Sequence, residues 1–158
     1  MYKKVTIFLL FVGLFAIAAQ AQQDPFLGTW KQNMAKSSYD PANLTPRAGT
    51  TLKREAWGTD GWKLTTDGMD AQGNKTHEEY SAKFDGKDYP RTGSQDYNMQ
   101  SLKKIDSNTV VTVAKKNGTV VRMIRGIVSK DGKTYSTVSV GYNAQGVAYH
   151  NVTVFDKQ

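Results

Sequence analysis

Hydrophobic and polar residues alternate with a period of two through most of the chain after its first thirty residues. In residues 75–84, for example, Tyr80, Ala82 and Phe84 share one face, and most residues of the other face are polar. This period is typical of a β-strand with one face buried and the other in solvent. Residues 119–128 are apolar on both faces, which indicates a strand that is covered on both sides.

Turn-forming residues interrupt the alternation at intervals of roughly 10–15 residues, in pairs such as Asn117-Gly118 and Asp131-Gly132. Glycine and asparagine tolerate the positive φ that tight hairpin turns need. Residues 36–47 contain two prolines and no helical period, so they are predicted as a long irregular connection. The predicted strands, about nine or ten in number, cover residues 28–35, 49–57, 62–69, 75–84, 88–92, 98–105, 109–116, 119–129, 134–142 and 147–156.

A meander of this many short strands has two free edges, and closure into a barrel removes them. We therefore predict an all-β fold, a single antiparallel up-and-down β-barrel of about 8–10 strands, with a two-sheet sandwich as the alternative. The chain is long enough to bury a core without disulfide bonds. It contains no cysteine, which excludes thiol catalysis, disulfide redox chemistry and cysteine-ligated metal sites.

Residues 1–21 have the pattern of a secretory signal peptide. Two lysines near the start precede an apolar run over residues 5–19, and a small-x-small cleavage site ends at Ala21. The run is short for a membrane span of roughly 20 residues, so we expect cleavage and no stable membrane insertion afterwards. The sequence thus predicts a cleaved signal at 1–21, a barrel domain at 22–158, and a periplasmic or secreted bacterial protein.

The formal net charge is +7, and loss of the two signal lysines leaves +5 on the domain. The remaining lysines are scattered, mostly in or beside turns, which favours a role in solubility and in protecting strand edges. Attraction to anionic surfaces or anionic ligands is the functional alternative. A nucleic-acid partner is not expected, because no concentrated basic stripe is present.

The segment Phe26-Leu-Gly-Thr-Trp-Lys31 resembles the first strand of the calycin superfamily, the lipocalins and fatty-acid-binding proteins, which carries Gly-x-Trp. The resemblance implies that Gly28 eases the chain into the strand and that Trp30 closes one end of the barrel. Over most of the predicted domain, the chain also resembles small exported bacterial proteins that begin Asp-Pro-Phe-x-Gly-Thr-Trp-Lys, and this second resemblance implies no particular activity.

Two features of the fatty-acid-binding branch are missing from this sequence. That branch has two helices after the first strand, whereas residues 36–47 have no helical period. It also has Arg-x-Tyr on the last strand to hold a carboxylate, whereas the matching stretch here, residues 152–155, contains no arginine. The resemblance therefore does not carry over a fatty-acid site of that kind.

Two tryptophans and two arginines are candidates for ligand contact. Trp57 and Trp62 flank a glycine turn, and they predict either a ligand-stacking lip or, preferably, a cross-strand aromatic pair that stabilises the hairpin. Arg122 and Arg125 have an odd spacing in one strand, so one of them is expected to face inward. An inward arginine needs a partner, and the candidates are an anionic ligand or groups of the chain itself. The possible partners within the chain are Glu55, Glu79 and the ring of Trp30.

The chain has two histidines, His77 and His150. On a strand His77 and Glu79 share a face, and strand pairing with His150 is the arrangement that a two-histidine, one-carboxylate metal site would need. No metal site is predicted, and neither His77 nor Glu79 has support as a general acid or base. The signatures of serine hydrolases, zinc proteases and phosphate loops do not occur.

These observations favour an exported protein that binds a small lipophilic or amphipathic molecule without cofactor, metal or catalysis. The alternative is a structural or protein-interaction barrel that is filled by its own side chains, and a small-barrel enzyme is the third possibility. The candidate ligand-binding residues are Trp57, Trp62, Tyr80, Phe84, Met99, Arg122, Met123, Tyr142 and Tyr149, with Gly28 and Trp30 as structural residues.

Overall fold

The computed structural model describes residues 24–158, so the predicted signal segment 1–21 lies outside the described residues. The described residues form eleven β-strands and two single turns of 3₁₀ helix, at Met34–Lys36 and Ala42–Leu44. The strands are β1 (Gly28–Gln32), β2 (Ser38–Asp40), β3 (Ala48–Ala56), β4 (Gly61–Met69), β5 (Lys75–Lys83), β6 (Tyr89–Thr92), β7 (Met99–Lys104), β8 (Thr109–Lys116), β9 (Thr119–Val128), β10 (Thr134–Tyr142) and β11 (Ala148–Lys157).

Ten of these strands close into an antiparallel barrel. From β3 to β11 each strand pairs with the next, and β1 joins the two ends by pairing with both β3 and β11. In that closure Trp30 lies opposite Leu52 on one side and Lys157 on the other. The predicted closed barrel is therefore confirmed, and the sandwich alternative is wrong because the hydrogen-bonded sheet is continuous.

The strand β2 lies inside the segment that was predicted to be irregular. It pairs with residues 150–152 of β11, with Tyr39 opposite Asn151, whereas β1 pairs with residues 155–157 of the same strand. The prediction for residues 36–47 is thus wrong in part. The two prolines do prevent a long helix, but the edge of β11 beyond β1 offers unpaired backbone groups that a short strand satisfies.

One end of the barrel, which we call the closed end, is filled by the residues that precede β1 and by β1 itself. Phe26 and Trp30 are fully buried, and the Trp30 indole Nε1 donates a hydrogen bond to the Phe26 carbonyl oxygen at 2.9 Å. The Phe26 ring lies 5.4 Å from the Trp62 ring. Gly28 has a φ of 113°, which other residues rarely adopt, so it lets the chain turn from this plug into β1.

Asp24 fastens this plug to the far side of the barrel. Its carboxylate accepts a hydrogen bond from the Phe26 backbone N–H at 3.1 Å and from the Lys104 ammonium at 2.8 Å. The same ammonium lies 5.6 Å from the centre of the Phe26 ring. The Asp-Pro-Phe segment before β1 is thus a lid over the closed end.

The other end, which we call the open end, is surrounded by the hairpin turns at 70–74, 117–118 and 143–147 and by the connections 41–47 and 93–98. These segments contact one another, since Arg47 Nε donates to the Ala71 carbonyl at 3.0 Å and Ala144 N donates to Asp96 Oδ1 at 2.7 Å. Within residues 24–158, no helix has the length and apolar character needed to cross a membrane.

Candidate functional site

A cavity of about 270 Å³ lies inside the barrel between the two ends. Its wall combines aromatic rings with hydroxyl and amide groups, because the inward-facing positions of several strands are polar. Around Trp62 and Tyr135 the wall is aromatic and belongs to the closed end. Elsewhere it includes Thr66, Thr137 and Ser139, so the cavity is amphipathic.

Three arginines line this cavity: Arg54 on β3, Arg91 on β6 and Arg122 on β9. In the cyclic order of the ten barrel strands, these three strands are three, three and four positions apart, so the arginines approach the cavity from different sides. The carboxylates that line the same cavity are Glu78 and Asp70. The cavity therefore holds more positive than negative charge.

Asp70 belongs to the rim at the open end and is committed to its own turn. Its carboxylate accepts hydrogen bonds from the side-chain amide of Asn74 at 2.9 Å and from the backbone N–H groups of Asn74 and Gln72. The side-chain hydrogen bond from Asn74, followed by the backbone ones, lowers the pKa of Asp70. Glu78 is therefore the carboxylate that faces the arginines.

Glu78 is the centre of a connected set of polar side chains, the Glu78 network, formed by Glu78, Arg91, Tyr97, Gln100 and Arg122. The Glu78 carboxylate accepts hydrogen bonds from the Arg91 guanidinium and from the Tyr97 hydroxyl, the latter at 3.1 Å. Arg91 Nη1 also donates to Gln100 Oε1 at 3.1 Å, and Arg122 Nη1 donates to the Tyr97 hydroxyl oxygen at 3.0 Å. One carboxylate thus orders two arginines, one of them through a tyrosine.

Arg91 is buried and Arg122 is half-buried, and both arginines of the network remain cationic. Burial by itself would lower the pKa of Arg122, but charge interactions with Tyr97, Tyr149 and Glu78 and the hydrogen bond to Tyr97 raise it. The pKa of Arg91 is raised in the same way, against burial, by Tyr97 and Glu78. The Glu78 network therefore carries two positive charges and one negative charge.

Arg54 has no carboxylate partner among the described residues within 4.0 Å, and it is only 4% exposed. Its guanidinium carbon lies 4.2 Å from the centre of the Tyr135 ring, 4.8 Å from that of Trp62 and 5.9 Å from that of Phe26. Cation–π attraction to these rings stabilises the charge. It does not satisfy the N–H donors, and both Nε and Nη1 are buried without a hydrogen-bond partner.

Unsatisfied buried side-chain atoms concentrate in this cavity. Within residues 24–158, every buried side-chain nitrogen or oxygen without a partner belongs to a residue that lines it. The atoms are Nε and Nη1 of Arg54, Oγ1 of Thr66, Nε of Arg91, Nε2 of Gln100 and Nε of Arg122. All the nitrogens are donors only. The cavity therefore offers hydrogen-bond donors for which the protein supplies no acceptor.

Three of the residues predicted to contact a ligand, Trp62, Tyr80 and Arg122, line the cavity. Phe84 instead packs in the closed-end core, 5.2 Å from the Trp62 ring. Met99 and Tyr149 are half-buried and are not among the lining residues. Ligand contact by the three lining residues stays a prediction.

The remaining three candidates lie on the outside of the barrel: Trp57 is 39% exposed, Met123 49% and Tyr142 57%. For Trp57 the reason is register. Ala56, and not Trp57, pairs with Trp62, so the two tryptophans point to opposite faces. Trp57 packs edge-on against Tyr89 at 6.0 Å. The interpretation of the two tryptophans as a cross-strand pair is therefore wrong, and a ligand contact by Trp57 stays a prediction.

Of the two arginines on β9, Arg122 faces inward and Arg125 is exposed, which agrees with the expectation that one of them is internal. The protein partner of Arg122 is Tyr97 rather than Glu55, Glu79 or Trp30. The cation over the Trp30 ring is the Lys157 ammonium, 5.0 Å from the ring centre.

Sequence reasoning missed Arg54, Arg91, Glu78 and Tyr97. A signal was present for two of them. Glu78 lies two residues before Tyr80, on the face already assigned to the interior, and Arg54 lies two residues after the buried Leu52. A charged residue on an apolar face of a strand is the pattern that should have drawn attention to both.

Both histidines lie on the outer surface. His77 Nδ1 is 2.6 Å from Asp67 Oδ1, and this hydrogen bond raises the pKa of His77. His150 lies opposite Asp40 and Val140 in the sheet, and among residues 24–158 no group of three or more histidine, aspartate or glutamate side chains has the arrangement of a metal site.

The described residues form a closed ten-stranded antiparallel barrel with an internal cavity, a lipocalin-like and fatty-acid-binding-protein-like fold. It is similar to the wild-type fluorescent protein UnaG, with a TM-score of 0.55 and 10% identity over 84% of this chain and 97% of UnaG. A mutant form of UnaG gives a TM-score of 0.52 at 11% identity, covering 85% of this chain and 96% of the mutant chain.

A third structure, zebrafish ileal bile acid-binding protein complexed with cholic acid, has a TM-score of 0.48 and 11% identity over 85% of this chain and 99% of its own. No protein-family model and no curated protein sequence matches the chain. The similarity to the two UnaG structures defines the fold, and at 10% and 11% identity it does not define a ligand.

Proposed function

We propose that this protein binds a small amphipathic organic anion, non-covalently and without a cofactor, inside the barrel. The cavity volume of about 270 Å³ is slightly below the roughly 300–1,000 Å³ that is usual for small-molecule sites, which favours a small ligand. The aromatic wall around Trp62 and Tyr135 suits an apolar body. The three arginines suit a negatively charged group.

The unpaired donors of the cavity are the observation that carries this proposal. A purely apolar ligand would leave the N–H groups of Arg54, Gln100 and Arg122 unpaired, and each such buried group costs about 1–3 kcal/mol. A ligand with oxyanion or carbonyl oxygens removes that cost and adds charge-assisted hydrogen bonds. The ligand class that the sequence suggested, lipophilic or amphipathic, therefore narrows to amphipathic.

Binding without catalysis is part of the proposal. Both histidines are on the outer surface, and the cavity wall supplies arginine, hydroxyl and amide groups. These groups orient and neutralise a ligand. The arrangement is one that selects a molecule by charge and shape.

The direct test uses a charged and a neutral probe of nearly the same shape, 2-naphthoate and 2-naphthamide. Trp62 lines the cavity, so quenching of tryptophan fluorescence reports occupancy. We expect saturable binding of 2-naphthoate at one site, at least about tenfold tighter than that of 2-naphthamide. Arg122→Gln should weaken naphthoate binding, while Arg125→Gln, on the outer face of the same strand, should not. Equal binding of the two probes, or binding of neither, would contradict the proposal.

A natural ligand is sought by native mass spectrometry of the domain purified from its host. An extra mass that leaves on denaturation would identify the ligand class. We also propose that the protein is exported with cleavage after Ala21, and the same sample tests this. The intact mass should correspond to residues 22–158, and a mass that retains the first 21 residues would argue against cleavage.

A protein-interaction role is the second candidate, and one observation favours it. Met123 and Val140 are paired neighbours on the outer faces of β9 and β10, and both are about half exposed. With Tyr142 they form an apolar surface near the open end. Contiguous exposed apolar surface often marks a contact region. Sedimentation velocity of the wild-type domain and of Met123→Ser would test it for self-association, which the substitution should reduce.

A further inference from the structure

We propose that the cavity is a two-ended site for a ligand that carries two anionic groups, one bound by Arg54 at the closed end and the other by Arg122 toward the open end. This inference rests on the proposed function and deepens it, because it specifies the number and the placement of the ligand's charges.

Two of the three arginines that line the cavity have no ion-pair partner among the described residues. Three guanidinium groups, those of Arg54, Arg91 and Arg122, line the cavity, and Glu78 is the carboxylate that faces them. Glu78 forms an ion pair with Arg91, and Asp70 lies at the rim, hydrogen-bonded within its own turn, so Arg54 and Arg122 have no carboxylate in ion-pair contact among the described residues. Buried charges are stable only when they are paired, and a ligand with two negative groups gives each of these two arginines a partner.

Arg54 forms the inner subsite. This residue is almost fully buried, it lines the cavity, and two of its N–H-bearing nitrogens have no partner. The rings of Tyr135 and Trp62 hold the guanidinium in place without consuming its donors. The Tyr80 hydroxyl accepts a hydrogen bond from Trp62 Nε1 at 3.1 Å, which leaves its own proton to donate. Arg54 and the Tyr80 hydroxyl thus place N–H and O–H donors at the closed end of the cavity.

The outer subsite belongs to the Glu78 network. Arg122 uses Nη1 to reach Tyr97, and its Nε is unpaired. The Gln100 amide nitrogen is also unpaired, while its oxygen is occupied by Arg91. Arg91 contacts the Glu78 carboxylate directly, whereas Arg122 reaches it only through Tyr97, so Arg122 is the cation of this network that an external anion would neutralise.

The two subsites are separated along the barrel. On β10, Tyr135 contacts Arg54, and Gly141 is the residue paired with Arg122. Six residues of strand span about 20 Å. Because the strands are tilted and both arginine side chains are long, the distance between the two guanidinium groups along the barrel is shorter than this. Thr137 and Ser139 line the cavity between these levels. An elongated ligand with a charge at each end matches this arrangement better than a compact one.

The test compares α,ω-diacids with monoacids of the same chain length by isothermal titration calorimetry. The diacids are adipate, suberate and sebacate, and the monoacids are hexanoate, octanoate and decanoate. In a site with one anion subsite, the second carboxylate would have to be buried unpaired and would weaken binding. We expect the reverse, a diacid that binds about tenfold more tightly than its monoacid at the best-matched length. Monoacids that bind at least as tightly at every length would overturn the inference.

Matched variants assign the subsites. Arg54→Gln and Arg122→Gln should each reduce diacid affinity to that of the monoacid. The controls are Lys53→Gln, the exposed neighbour of Arg54, and Arg125→Gln, which make the same change of net charge outside the cavity. An unchanged preference for diacid in folded Arg54→Gln would reject the inner subsite.

A measurement on the wild-type protein keeps the inference testable if Arg54→Gln does not fold. Suberate labelled with ¹³C at both carboxyl groups should give two separate bound resonances, because the two subsites have different surroundings. One shifted resonance together with one at the free position would mean that only a single subsite exists. The outcomes also separate the two proposals. Failure of all acids and of 2-naphthoate to bind removes the proposed function itself, whereas binding without diacid preference removes only the two-ended site.

Discussion

Two buried cationic groups lie over aromatic rings in the same barrel, and they differ in one partner. Arg91 contacts the rings of Tyr80 and Tyr97 and also has Glu78, whereas Arg54 has the rings of Tyr135 and Trp62 and no carboxylate. The Glu78 network is internally connected. The Arg54 guanidinium is stabilised by aromatic rings, and its Nε and Nη1 make no hydrogen bond. The charge of Arg91 is therefore compensated within the cavity wall, whereas Arg54 has no counter-charge in contact among the described residues.

The largest effect should come from removing the aromatic support at the closed end. Trp62→Ala deletes a fully buried ring that contacts Phe26, Phe84 and Arg54, so we expect a loss of about 3–5 kcal/mol in the free energy of unfolding. Trp57→Ala is the control, because this exposed ring has one aromatic contact and should cost about 1 kcal/mol. Urea unfolding followed by circular dichroism measures both, and similar losses would mean that the closed end is not the core.

Removing the carboxylate should make the Glu78 network resemble the Arg54 site. Glu78→Gln leaves Arg91 without its counter-charge, and we expect a loss of about 3 kcal/mol in stability. The same variant should bind 2-naphthoate more tightly, because one more cation becomes available. Glu79→Gln, on the outer face, should cost less than about 0.5 kcal/mol and leave binding unchanged. Weaker naphthoate binding by Glu78→Gln would contradict the view that Glu78 competes with the ligand for the arginines.

Replacing Arg54 should affect stability far less than its burial suggests. Arg54→Met removes an uncompensated buried charge and loses cation–π contacts, so the two effects oppose each other and we expect a net change within about 1 kcal/mol. Arg91→Met removes the cation that Glu78 needs and should be clearly destabilising. Thermal unfolding measures the stability of both variants. Equal losses of stability would mean that Arg54 has a structural role.

The smallest effect concerns His77, a surface residue outside both arginine groups. The hydrogen bond to Asp67 raises its pKa above 6.5, so protonated His77 is favoured in the folded state. The associated stabilisation is fully present below the pKa of the unfolded chain and is lost as the pH rises through the higher folded pKa. Titration of the His77 ring by NMR should show the raised pKa, and Asp67→Asn should bring it back toward 6.5. The affinity for 2-naphthoate should not follow this titration.

Alternation and turn residues were sufficient to predict the barrel, because both are local properties of the sequence. The period of two around Tyr80 and the glycine turns defined strands whose bounds agree closely with those observed. The short strand β2 escaped prediction because it exists only where β11 extends past β1. Its three residues carry no period of their own.

The candidate site was less predictable because it depends on which strands face one another. The odd spacing of Arg122 and Arg125 required that one point inward, but the chain alone did not say which. The contact between Glu78 and Arg91 links β5 to β6. Arg122, on β9, is linked to Glu78 through the hydroxyl of Tyr97, which lies in the connection 93–98. Register, and not composition, decides such contacts.

Asp24 and Gln158 both lie at the closed end, where Lys104 holds the first and the Thr29 carbonyl accepts a hydrogen bond from the backbone N–H of the second at 3.0 Å. Attachment of the domain to a bead, a sensor surface or a fusion partner through either of these residues would therefore point the open end outward. Immobilisation would leave the path to the cavity clear, and the domain could be tethered in a defined orientation for capture of small molecules.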